Sequence, residues 1–143
     1  MMRKIYYILL AGILLGACQK SSIDKKEEGI IHYKETVSIN GVPPATLTFF
    51  DVTDSRCPEG GQCIWAGNAE VDLVLDGVTT EGKNLKHVKM CLGECSNFKQ
   101  DTLDQDFAGE HYTFILKSVT PYPKVDIQNK KTDYSISLEI KKK

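Results

Sequence analysis

The chain is expected to be an all-β protein, an antiparallel β-sandwich (immunoglobulin-like, or an open barrel) of about six to eight strands. Three observations lead there. Beyond residue 30, apolar and polar side chains alternate in one short stretch after another, which is the period of a half-buried strand. Turn formers such as Asn40-Gly41, Asp76-Gly77 and Pro121-Tyr122-Pro123 separate those stretches. No segment after Cys18 keeps a helical period for three turns. With 143 residues, 41% apolar and 26% charged, one globular domain with a real core is the natural organisation.

The first 17 residues stand apart. Arg3 and Lys4 precede an apolar run from Ile5 to Leu15, and the small residues Gly16 and Ala17 follow. A basic start, an apolar stretch of this size and small residues at its exit make a secretory signal. It is too short for a membrane span, which needs about 20 apolar residues. The ending Leu15-Gly16-Ala17-Cys18 resembles the lipobox of bacterial lipoproteins. That resemblance implies cleavage after Ala17 and a diacylglyceryl group on Cys18, hence a membrane partner reached through lipid. Each buried methylene adds about 0.8 kcal/mol of membrane affinity, so several acyl chains hold firmly. Gln19, rather than an aspartate, follows the cysteine, which by the same resemblance favours the outer membrane of a bacterial envelope.

Residues 18–29 are polar and mixed in charge, with Ile23 as their one aliphatic residue. They bury too little to offset their ordering entropy and are expected to tether a domain that occupies residues 30–143. Without the signal, 16 basic residues face 19 acidic ones, a net charge of −3. That balance supplies no basic field for nucleic acid.

Within the domain, Ile31, Tyr33, Val37 and Ile39 alternate with His32, Lys34, Thr36 and Ser38, and Glu35 alone interrupts the apolar side. This reads as one strand. Asn40-Gly41 is a hairpin signal, lengthened by Pro43-Pro44, and Ala45 to Val52 forms the second strand. Ala69, Val71, Leu73 and Leu75 define the next, and Val88, Met90 and Leu92 the one after, with Lys86 out of pattern. Tyr112, Phe114 and Leu116 mark a further strand, which Pro121 stops because proline cannot donate to a ladder. Tyr134, Ile136, Leu138 and Ile140 mark the last. Ser96 to Gly109 shows no regular period and is expected to be a loop or a single helical turn.

Four cysteines remain after Cys18. An even number in an exported chain reads as disulfides, and Cys57–Cys63 with Cys91–Cys95 is the favoured pairing. Each pair flanks a glycine-containing turn that can bring the Cα atoms within the roughly 4.4–6.8 Å a disulfide requires. Four thiolates would also suit zinc, but the spacings are not the Cys-x-x-Cys pairs such sites prefer. Asp101, Asp104 and Asp106 invite a calcium reading, yet the glycine and closing glutamate of an EF-hand loop are missing. No metal and no cofactor is expected.

The stretch Asp51 to Gly67 gathers the residues of greatest interest: Asp51, Asp54, Arg56, both members of the first cysteine pair, and Trp65. Arg56-Cys57-Pro58 could offer a braced loop to a trypsin-like protease, whereas pairing of Arg56 with Asp51 or Asp54 gives it a role in holding the loop. Trp65 is expected in the core against the Cys57–Cys63 bridge, with an exposed stacking platform as the alternative. The histidines His32, His87 and His111 lie in or at the start of strands, and no nucleophile elbow or zinc-protease motif accompanies them. Asp-Ser-Arg-Cys-Pro followed by Cys-Ile-Trp-Ala-Gly, with Pro121-Tyr122-Pro123 near the end, is similar to a pattern in a family of small bacterial lipoproteins to which no activity is attached. The expectation is therefore a lipid-anchored envelope protein with a non-catalytic binding or structural role, its partner an envelope protein or a glycan. A protease-inhibitor-like module and an unrecognised envelope enzyme are the alternatives.

Overall fold

The computed structural model describes residues 28–96 and 100–143. The signal segment, Cys18 and the tether up to residue 27 lie outside the described residues. Eight strands run β1 (Glu28–His32), β2 (Thr36–Asn40), β3 (Ala45–Asp54), β4 (Asn68–Thr79), β5 (Gly82–Gly93), β6 (Thr102–Phe107), β7 (Glu110–Thr120) and β8 (Ser135–Lys142). They form two antiparallel four-stranded sheets, ordered β1-β8-β7-β6 and β2-β3-β4-β5. This is the expected β-sandwich. The first strand begins two residues before the expected domain boundary.

Period two explains the packing. Leu47 and Phe49 of β3, Val71, Leu73 and Leu75 of β4, and Val88 and Met90 of β5 turn inward from one sheet. Ile31, Tyr112, Phe114, Leu116, Ile136 and Leu138 meet them from the other. Burying each such side chain contributes about 1.5–3 kcal/mol. Asn40 pairs with Ala45 across the predicted hairpin, and its side-chain amide donates to the Pro43 carbonyl at 2.9 Å. Lys86 is exposed, as its place out of pattern suggested.

Two expectations need correction. The stretch from Ile31 to Ile39 is not one strand, because the chain changes sheets between β1 and β2. Lys34 adopts φ 65°, Tyr33 N–H donates to the Tyr134 carbonyl in one sheet, and Lys34 N–H donates to the Phe49 carbonyl in the other. Alternation runs through the crossing because Ile31, Tyr33, Val37 and Ile39 all contribute to the one core between the sheets. Glu35 was the one visible sign, and its carboxylate accepts from the His32 backbone at 2.7 Å. The second correction is β6, which lies where a loop or helical turn was expected. Leu103 and Phe107 share its inner side with Gln105, so the polar residue hides the alternation. An edge strand tolerates that, having one neighbour to satisfy.

Both sheets also carry bulges. The register of β3 on β4 shifts between Phe49 and Asp51, and that of β7 on β8 between Leu116 and Ser118. The first leaves Phe50 on the outer surface, where Lys34 Nζ stands 3.6 Å from its ring centroid and His87 meets it edge-on. A bulge inserts one unpaired residue and re-aims its side chain.

Candidate functional site

Strands β3, β5 and β7 all end at the same pole of the sandwich, and the connections that follow them form one layer there. Their described residues are 55–67, 94–96, 100–101 and 121–134. Cys57–Cys63 lies within this layer, and Cys91–Cys95 ties it to the end of β5. Cys57–Cys63 and Cys91–Cys95 are paired as expected, with Cα separations of 5.9 and 6.0 Å. Pole and loops are cross-linked further by backbone bonds. Glu59 N–H donates to the Pro123 carbonyl at 2.9 Å and Val125 N–H to the Glu59 carbonyl at 3.3 Å. Glu94 N–H donates to the Gly67 carbonyl, and the Asn68 amide returns a bond to the Glu94 carbonyl at 2.9 Å.

Beneath the layer lies an ion pair. Arg56 Nε donates to Asp54 Oδ1 at 2.9 Å and Nη2 to Oδ2 at 2.7 Å, with side chains 8% and 5% exposed. The remaining donors reach the other sheet, to the Val119 carbonyl at 3.0 Å and the Pro121 carbonyl at 3.2 Å. Tyr134 O–H donates to Asp54 Oδ2, and the guanidinium stacks 4.5 Å from the Tyr122 ring centroid. Burial pushes the Asp54 carboxyl upward, but the hydrogen bonds and charge of Arg56 outweigh it and hold the group below the usual aspartate value. Burial raises the Tyr134 hydroxyl. Of the two partners expected for Arg56, Asp54 is the one engaged, and this buried fork cannot serve as an exposed inhibitory side chain.

Asp51 belongs elsewhere. It lies on the outer face of β3, where Lys131 Nζ donates to it at 2.6 Å and lowers its pKa, and its Oδ1 also accepts from Val52 N–H at 2.9 Å. Together with Glu70, Asp72 and Lys89 it lines a shallow open hollow. The expected acidic run disperses too: Asp104 and Asp106 flank His111, with Asp106 Oδ1 2.6 Å from Nδ1. Among the described residues, no group of three or more His, Cys, Asp or Glu side chains is placed to hold a metal ion.

Trp65 corrects the sequence reading most sharply. It is not in the core but 55% exposed, beside Ile64, which is fully exposed. The reason is the loop's own bracing. Cys57 N–H bonds to the Ala66 carbonyl at 2.7 Å, and Gly67, at φ +73°, lies flat against the Ser55–Arg56 backbone. With the base of the loop closed so tightly, residues 64 and 65 bend outward. The disulfide itself lies outside the core, with Cys57 half-buried and Cys63 exposed. Sequence reasoning also missed Tyr122, Val125 and Ile127, exposed on the adjoining loop. Their signal was available: apolar residues in a proline-punctuated segment that no strand could absorb.

The structure thus brings Arg56, Asp54, Trp65 and both disulfides to one pole and leaves Asp51 on a sheet face. Of the ten large apolar side chains exposed among the described residues, five (Ile64, Trp65, Tyr122, Val125 and Ile127) lie in the 55–67 and 121–134 loops. Scattered single apolar residues are ordinary, whereas a concentration marks an interaction surface. Comparison with family models, curated proteins and solved structures finds no match for this chain.

Proposed function

We propose that this chain is a lipid-anchored protein of the bacterial envelope, non-catalytic, which binds a partner through the loop-bearing pole of its sandwich. The concentration of exposed apolar side chains on two cross-braced loops carries the reading. Anchoring rests on the lipobox-like Leu15-Gly16-Ala17-Cys18, and two disulfides fit an oxidising compartment. Glu28 pairs with Glu139 and His32 with Ser135, so β1 begins at the pole opposite the loops and runs toward them.

Two measurements test this. The full chain is expected in the membrane fraction carrying a diacylglyceryl mass, and Cys18→Ala in the soluble fraction; a Cys18→Ala chain that still sediments with membranes refutes the anchor. For binding, tagged wild type and Ile64→Ser/Trp65→Ser are compared on envelope extract of the producing cell, after equal unfolding midpoints are verified. A ligand retained by wild type and lost by the variant is the expected result, and equal retention or none refutes the pole as the site.

A further inference from the structure

We propose that the outer edge of β5 is a second binding element, separate from the loop pole, which accepts an extended acidic segment of a partner protein as a fifth strand of its sheet.

The backbone carries the first part of the argument. At twelve residues β5 is the longest edge strand, against five in β1, five in β2 and six in β6. Its register on β4 runs without a shift from Gly93 to Gly82, and it contains no proline. Cys91 N–H donates away from β4, to the Gln100 carbonyl at 3.1 Å, whereas Glu94 N–H donates to the Gly67 carbonyl on the β4 side at 3.0 Å. Hydrogen-bonding direction alternates along an antiparallel pair. Lys83, Leu85, His87 and Lys89 therefore aim their N–H and C=O groups outward, as Cys91 does. Among the described residues no backbone group meets them. Donors and acceptors that repeat every two residues, about 7 Å, match the backbone of another strand. The bond from Cys91 to Gln100 shows the edge already taking one such contact from its own chain.

Side chains set the chemistry of the occupant. Every residue from Gly82 to His87 is exposed, Asn84 and Lys86 on the inner side included. Leu85, 57% exposed, and its diagonal neighbour Val78 on β4, 47% exposed, offer an apolar contact. Lys83, Lys86 and Lys89 recur at every third position, and β5 has no acidic residue. Acids on the adjoining strands are engaged: Asp76 by Lys83 at 3.1 Å, Asp72 by His87 at 3.1 Å and Asp51 by Lys131 at 2.6 Å. Glu70 has a partner as well, and Glu81 and Glu94 stand beyond the two ends of the strand. Lys86 and Lys89 remain outside the ion pairs of the described residues. Lysines along an edge deter a second copy of the same strand, whose own lysines would oppose them, and they complement carboxylates.

The test uses the isotope-labelled full chain in nonionic detergent, with the octapeptide acetyl-Glu-Val-Thr-Glu-Val-Thr-Glu-Val-amide as probe. Laid antiparallel, its three glutamates meet Lys89, Lys86 and Lys83, and its middle valine meets Leu85. Amide hydrogen exchange, read residue by residue by nuclear magnetic resonance, is expected to be fast at Leu85, His87 and Lys89 without the probe and at least roughly tenfold slower at saturation. Val88 and Met90, bonded to β4, should be slow in both states. The analogue with lysine for each glutamate should protect nothing. Lys86→Glu/Lys89→Glu changes two exposed side chains and should reverse the preference between the peptides at an unchanged unfolding midpoint. No protection by the glutamate probe, equal protection by both peptides, or a preference that survives the charge reversal overturns the proposal. Binding at the loop pole is read separately through Ile64→Ser/Trp65→Ser, so failure of one site is distinguished from failure of the other.

Discussion

Replacing Arg56 by alanine should unfold this pole's support and much of the domain's stability with it. The guanidinium makes two bonds to Asp54 and one each to the Val119 and Pro121 carbonyls, so its removal strands a buried carboxylate and two carbonyls together. With the side chains only 8% and 5% exposed, the relevant comparison is a buried pair broken on one side, which costs about 3–5 kcal/mol. An exposed pair would cost below about 1 kcal/mol. For a domain of this size, 1 kcal/mol moves the melting point by about 4 °C, so the expected fall is about 12–20 °C. Calorimetry and urea unfolding followed by far-ultraviolet circular dichroism measure it. Trp65 fluorescence is a poor reporter, because the indole is already half in water. A double-mutant cycle with Asp54→Asn and Arg56→Met should return a coupling of about 1–3 kcal/mol, the double variant recovering part of what each single one loses. A loss below about 1 kcal/mol for Arg56→Ala, or additivity in the cycle, would refute the claim that this pair holds the two sheets together.

Three further outcomes are expected. Asp54 is held below its ordinary value near 4 in the folded protein, so its contribution is complete above about pH 4 and is lost as pH falls through the lowered folded value. Asp54→Asn should therefore flatten the acid limb of stability against pH, and an unchanged slope counts against the assignment. Gly67→Ala combines a left-handed backbone with a Cβ placed against the Ser55 carbonyl, and should cost about 3–5 kcal/mol in chemical denaturation. Gly109→Ala, at φ +78° with open space around it, should lose only about 1–2 kcal/mol; equal losses would refute the contact argument. Tyr112→Phe removes a fully buried hydroxyl with no hydrogen-bond partner among the described residues, and should be neutral or stabilising by about 1–2 kcal/mol. A loss above about 1 kcal/mol would show that the hydroxyl is satisfied.

Alternation made the sandwich legible because each inward position, from Leu47 to Leu138, is bought by no other structure of period two. What it could not report is which sheet a strand joins. Ile31, Tyr33, Val37 and Ile39 read identically whether the chain continues or crosses, since both sheets face one core. The bulge at Phe50 was invisible for a related reason: one inserted residue preserves the local composition and alters only parity. Gln105 hid β6 by standing where an apolar residue belonged. The disulfides were legible from spacing, because a bridge across so few residues needs only a turn. Arg56 was read correctly in kind, and its reach to the Val119 and Pro121 carbonyls, more than 60 residues away, was beyond any local signal.

Trp65 failed for an instructive reason. Size and apolarity argued for burial, and they do describe what an isolated indole prefers. Position in the chain overruled them. Cys63 is fixed by its bridge, Ala66 by its bond to Cys57, and Gly67 by its contact with Ser55. Between those fixed points Ile64 and Trp65 project outward. The same constraints that deny Trp65 the core hold it and Ile64 outward at no further entropic expense. A covalent bridge spanning six positions contributes about 2 kcal/mol by chain entropy, less than one closing a long loop, and it also sets the shape of this tip. Replacing Cys57 and Cys63 together by serine should therefore lower the melting point by about 8 °C and abolish the ligand retention that Ile64→Ser/Trp65→Ser also loses; unchanged retention would refute the bridge's part in shaping the tip.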